Sequence, residues 1–185
     1  MMKKELILGL DISTSVVGYT ILDRELQLHD TGYVSLKQIK GLVQKTVALK
    51  EQLEPYVGLI NGVAIEEPLV MFKEGFSRAQ VLSLLSQFNG MGQLLAFTLY
   101  NQVPFMYNVS TARKLAFPDM KFPVGSNRKE IVRNRVAMEY PQIDWLYKPK
   151  AIKPDGSPQM KDEMYDLADS LVIAKCHVIS LNKQQ

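Results

Sequence analysis

Apolar and polar positions divide the chain into a run of strands followed by alternating helices and strands. Residues 6–22 (LILGLDISTSVVGYTIL) form an apolar run that ends on one acid, Asp11, passes through a small polar turn (Ser13, Thr14, Ser15, Gly18) and becomes apolar again. That pattern predicts a β-hairpin with a carboxylate at the turn end of its first strand. Residues 25–36 alternate loosely and are rich in β-prone side chains, a third antiparallel strand. Over 37–56, Ile39, Leu42, Val43, Val47, Leu49 and Leu53 recur at mainly helical spacing and Pro55 stands near the stop, which predicts an amphipathic helix. Residues 61–67 (NGVAIEE) are a short apolar run ended by acids, a buried strand that carries carboxylates where the first strand does.

The second half continues with a long helix over 77–101, a strand over 103–109, and a short helix through Phe117 capped by Ser110 or Thr111. A basic amphipathic helix over 126–140 has Ser126 as its N-cap, 145–159 is a Pro- and Lys-rich loop, and 160–182 is the closing helix. Three antiparallel strands followed by helix, strand, helix, strand and further helices make an α/β layer with a mixed five-stranded sheet. Right-handed crossovers give the strand order 3-2-1-4-5, which sets Asp11 and Glu66 side by side at neighbouring strand ends.

Composition narrows the class. A chain of 185 residues is expected to be one domain, 1–185, with 46% hydrophobic and 22% charged residues, as in soluble proteins. No apolar run approaches the roughly 18 residues of a membrane span. Glu5 and Asp11 bracket an apolar segment too short for a secretion signal, and the single cysteine, Cys176, suits a reducing cytoplasm. A net charge of +3 permits a polyanionic partner.

Candidate chemistry sits on the closing helix. Wound at about 100° per residue, it places Asp162, Asp166, Asp169, Ser170, Ile173 and His177 on one stripe, and the rest of its circumference is almost wholly apolar. A helix that apolar is buried, so its acids face something specific. Asp162 and Glu163 complement the helix N-terminus, whereas Asp166 and Asp169, three apart, point the same way. Alone, each acid has an ordinary explanation as a turn residue or a solvated face. Four of them (Asp11, Glu66, Asp166, Asp169) converging from two apolar strands and an apolar helix repel one another unless cations bind. Hard oxygen donors suit Mg²⁺, with Mn²⁺ as a substitute, and two such ions roughly 4 Å apart serve in-line phosphodiester hydrolysis.

LGLDISTSVVGYTIL at 8–22, VAIEE at 63–67, VGSNRKEIV at 124–132 and DLADSLVIAKCHV at 166–178 together resemble the RuvC Holliday-junction resolvases of the RNase H-like superfamily. The resemblance spans nearly the whole chain and is most specific in the last segment. It implies an RNase H-like fold, two Mg²⁺ ions held by the four acids, a homodimer, and paired nicks across a four-way DNA junction in a bacterial or phage-infected cytoplasm. The long helix, through Leu84, Leu85, Phe88, Met91, Leu94 and Leu95, serves either as the dimer interface or as ordinary core. Glu67 stands where the family often has Gln, and 146–161 looks like an insertion of a divergent, phage-type member.

The resemblance also implies that the loop after the catalytic Glu lies at the junction centre. There Leu69, Met71, Phe72 and Phe76 are apolar candidates to wedge between base pairs, Phe72 foremost, with Lys73 suited to a phosphate. Arg113 and Lys114, then Arg128 and Lys129, are basic residues near two helix starts; Arg113 and Lys129 match the family's basic positions best. His29 reads as a surface turn residue. His177 lies about 12 Å along the helix from Asp169, too far to share a metal, and Cys176 is packing. Two other readings stay open: an RNase H-like nuclease acting on flaps, branched DNA or RNA–DNA hybrids, and one lobe of an actin-like ATPase, whose phosphate-binding hairpin GLDISTSVVGYTILD also resembles.

Overall fold

Strict alternation in β1 (Leu6–Ile12) sends Leu8, Leu10 and Ile12 into one core and Ile7, Gly9 and Asp11 to the opposite side of the sheet. The computed structural model describes residues 4–68, 76–153, 156 and 158–184. β1 pairs antiparallel with β2 (Val16–Asp23) and parallel with β4 (Ile60–Glu66). With β3 (Leu28–Ser35) and β5 (Phe105–Tyr107) they form a mixed five-stranded sheet in the expected order, β3-β2-β1-β4-β5.

Each face has its own core. Leu8, Leu10, Val63 and Ile65 pack under α1 (Leu42–Leu53) and α2 (Phe76–Tyr100), against Leu49, Leu53 and Phe88. The other face receives α5 (Glu163–Asn182), which is itself overlaid by α3 (Val109–Ala116) and α4 (Arg128–Glu139). Sheet below and helices above explain why α5 is apolar nearly all round, with Met164 to Val178 almost wholly buried. Its approach is close because two glycines face it. A Cβ on Gly9 would lie 2.5 Å from Ala174 N, and one on Gly18 would lie 2.9 Å from Leu167 N. Between them the Thr20 and Ser170 hydroxyls are hydrogen-bonded at 2.8 Å.

Several local expectations are corrected. Gly18 lies inside β2, opposite Asp11, and Ser13 closes the turn, its Oγ donating to Val16 O and accepting from Val16 N. The first helix begins only at Leu42, because Gly41 has φ +80°, and it ends in a 3-10 turn, Glu54–Tyr56, around Pro55. Asn108, not Ser110 or Thr111, caps α3 by accepting from Ser110 N, and Asn127, not Ser126, caps α4 by accepting from Glu130 N. The supposed loop at 145–159 contains a two-stranded ribbon, β6 (Tyr147–Ile152) with β7 (Pro158–Met160); each strand of a lone pair has a free edge on which proline costs no ladder bond. Asp162 leaves the acid stripe and binds Lys148, while Glu163 pairs with Lys37. His29 is a β3 residue bonded to Asp23. In α2, Phe88 and Leu95 belong to the core, whereas Leu84 and Leu94 are exposed.

His177 gives the fold a pH dependence. It is 1% exposed, stacked on Phe105 and bonded through Nδ1 to the Tyr107 hydroxyl at 3.0 Å. Burial, helped by the charge of Arg24, pulls the imidazole from 6.5 down to about 4. Between those values the unfolded chain binds the proton and the folded chain does not. The contribution of His177 to stability is therefore fully present above pH 6.5 and is lost as the pH drops towards 4, by about 3 kcal/mol, opposite in sign to that of the raised carboxyl groups of the cleft described below. Urea unfolding of wild type and His177→Phe at pH 7, 5.5 and 4 should show the wild type losing stability relative to the variant by this amount as the pH falls.

Candidate active site

The register that builds the sheet also gathers the acids. Leu10 of β1 pairs with Ile65 of β4, so Asp11 and Glu66 are the next residues along, and both fall on the side that faces α5. Where these strands end, α5 begins, and Asp166 and Asp169 lie on its first two turns. The four carboxylates line one cleft of about 290 Å³, with Ser13, Glu67, Arg113 and Lys129 around them. Glu67 is exposed at the rim.

Burial and mutual repulsion set the electrostatics. Asp11 is held well above the usual carboxylate range, by burial first and then by Glu66, Asp169 and Asp166, with Lys129 opposing. Burial and Asp169 push Glu66 up to about 7 against Arg113 and Lys129. Asp166 rises to about 6, again chiefly by burial, with Lys129 opposing. Lys129, exposed on the first turn of α4, is thus the cation felt by three of the four acids. The fourth has its own partner: Arg113 of α3 donates to Asp169 Oδ1 at 2.8 Å. Among the described residues no three Asp, Glu, His or Cys side chains converge closely enough to be a finished metal cage.

The remaining expected residues divide. Arg113 and Lys129 line the cleft, whereas Lys114 and Arg128 are exposed outside it, Arg128 standing 5.9 Å over the Phe122 ring. Leu69, Met71, Phe72 and Lys73 lie outside the described residues, as does the side chain of Phe76. His177 and Cys176 are packing residues of the buried α5 face. Sequence reasoning missed Asn89, a buried polar residue of α2 whose Nδ2 donates to Glu66 O at 3.0 Å, with Gln93 donating to its Oδ1. Its signal was visible, an amide inside an apolar helical face. It pins the end of β4 from the opposite side of the sheet.

No protein-family model matches the sequence, and no curated protein does. Solved structures do match. Thermus thermophilus RuvC aligns with a TM-score of 0.60 at 15% identity, covering 97% of this chain and 96% of that one. The fold is that of RuvC. T. thermophilus RuvC in complex with a Holliday junction substrate aligns with a TM-score of 0.61 at 16% identity over 96% of each chain. Fowlpox virus resolvase in a complex with substrate Holliday junction DNA gives 0.51 at 16% identity, over 95% of this chain and 98% of the other. The RuvC-like architecture therefore extends across almost the whole chain. Among the described residues no helix is long and apolar enough to cross a membrane.

Proposed function

We propose that this RuvC-like chain is an endonuclease that resolves four-way DNA junctions by metal-dependent phosphodiester hydrolysis. The observation that supports this reading is that Asp11, Glu66, Asp166 and Asp169 line one cleft of a fold shared with two junction-bound resolvases. The donor set fits Mg²⁺ or Mn²⁺: hard oxygens only, crowded enough to push three carboxyl groups up, with Arg113 and Lys129 lining the same cleft as counter-charges. Two ions held by the four acids would supply activation of water and stabilisation of the leaving oxygen in an in-line displacement. Asp11 and Glu66, fixed on adjacent strands, set the floor of the site, and Asp166 and Asp169 close it from α5. Asn89 keeps the end of β4 in register with β1.

The chain's own cations deal with the polyanion. Lys129 and Arg113 at the cleft bind phosphates near the bond to be cut, Lys114 and Arg128 bind phosphates further out, and Phe72 with Lys73 reach the junction centre. A homodimer matches the near two-fold symmetry of a four-way junction and presents two clefts to opposed strands. Parallel assays of a synthetic four-way junction, a Y-flap and an RNA–DNA hybrid, each with Mg²⁺ and with EDTA, test the proposal. Symmetric nicks confined to the junction and abolished by EDTA are the expected result. Equal cutting of the flap or hybrid would make the chain a broader RNase H-like nuclease instead.

A further inference from the structure

The contact between Arg113 and Asp169 gives the cleft a property beyond its acid count. Both side chains are nearly enclosed, 12% and 6% exposed, and the bond between Nη2 and Oδ1 is 2.8 Å long. Arg113 stands on α3 between Ala112 and the rest of a helix packed directly on α5, so the pair ties the two helices together beside the cleft. The guanidinium is not saturated by this bond, since its buried Nε has no hydrogen-bond partner. Asp169 meanwhile offers one of its oxygens to an internal cation, and the acids do not form a finished cage.

We infer that Arg113 is an exchangeable counter-ion for Asp169: it occupies the carboxylate in the metal-free protein, gives it up when a divalent cation binds, and then turns its donors to a DNA phosphate. This rests on the metal-dependent reading of the cleft. Two electrostatic facts drive the exchange. A dication at Asp169 and a guanidinium 2.8 Å from the same carboxylate repel each other. A guanidinium displaced from a carboxylate finds in phosphate the other oxyanion that its planar fork matches. Linkage then requires reciprocity, so DNA that captures Arg113 raises metal affinity by the factor by which metal raises DNA affinity. The cleft would load fully only on its substrate.

Calorimetric titration of Mn²⁺ into wild type, Arg113→Gln, Arg113→Lys and Asp11→Asn, without DNA, tests the exchange independently of cleavage. An opposite charge at hydrogen-bond distance changes the proton affinity of a carboxylate by about one to three powers of ten. Removing the competitor should therefore tighten Mn²⁺ binding by about tenfold or more in Arg113→Gln, and by less in Arg113→Lys, which keeps the charge. Addition of uncleavable junction DNA should tighten Mn²⁺ binding by a larger factor in wild type than in Arg113→Gln. Equal or weaker Mn²⁺ binding in Arg113→Gln, with wild type binding normally and Asp11→Asn impaired, would overturn the inference and leave the metal site standing. No Mn²⁺ binding by wild type, with or without DNA, would overturn the metal site itself. If Arg113→Gln does not fold, Mn²⁺ binding by Arg113→Lys no tighter than wild type overturns the exchange.

Discussion

Asp11→Asn should abolish junction cleavage, by about 10³-fold or more, and at the same time make the metal-free protein harder to melt. The first half follows from position. Asp11 stands at the end of β1 in a cleft with three other acids, and under the proposed metal-dependent function loss of one donor to a charge-stabilising ion removes several kcal/mol of transition-state stabilisation. Junction binding should survive, because the amide keeps the shape of the strand end and the basic residues are untouched. The second half follows from the same electrostatics. Burial and three neighbouring carboxylates hold Asp11 well above its ordinary range, so above that range the unfolded chain releases a proton more readily than the folded one and the fold is penalised. An amide removes that penalty, and each kcal/mol relieved is worth about 2–4 °C in a chain of this size. The sign is checkable. A raised carboxyl group favours the fold at low pH and loses that contribution as the pH rises, so the advantage of Asn should be large at pH 8 and vanish near pH 4. Melting curves in EDTA at both values, beside cleavage assays in Mg²⁺, decide the matter. An Asn variant that still cuts would remove Asp11 from the site, and one that cuts poorly but melts like wild type at pH 8 would show that the acids do not repel as described.

Sequence alone made the sheet and its acids legible for a specific reason. Alternation is regular in 6–12 and, past the register shift that skips Asn61, in 62–66, so the side on which Asp11 and Glu66 fall is decided once Leu8, Leu10, Val63 and Ile65 are assigned to the core. The apolar circumference of α5 likewise required cover on both sides. What sequence did not disclose depends on contacts between distant segments. Nothing near Arg113 announces that Asp169, 56 residues on, is its partner, and a Pro- and Lys-rich stretch reads as a loop until Lys148 and Lys153 are seen holding its ribbon to Asp162 and Glu130. The caps were missed for a smaller reason. Ser, Thr and Asn serve that position about equally well, and the residue chosen depends on where the preceding chain turns.

Gly18→Ala should be the most damaging single-methyl change, striking fold and site together. Gly18 pairs with Asp11 in the β1–β2 ladder, and its bare Cα is where α5 lands on the sheet. A Cβ there would lie 2.9 Å from Leu167 N and closer still to the carbonyl of Asp166. Those are backbone atoms of a helix, with no rotamer to yield, so α5 must lift or slide. Overpacking of this kind costs about 3 kcal/mol, or about 6–12 °C in melting temperature. The helix that moves carries Asp166 at the contact point itself, and in the catalytic role proposed for it a displacement of about 1 Å is worth about 10²-fold in rate. Gly9→Ala meets Ala174 N at 2.5 Å, two turns further along α5, and should cost similar stability with a smaller loss of cleavage at a temperature where both variants are folded. Gly90→Ala supplies the contrast, since a Cβ at that exposed point of α2 meets nothing within 4 Å and improves helix propensity, so stability should hold or rise by up to about 1 kcal/mol. Should Gly18→Ala melt and cut like Gly90→Ala, α5 does not rest on β2 as described, and the convergence of Asp166 with Asp11 loses its structural basis.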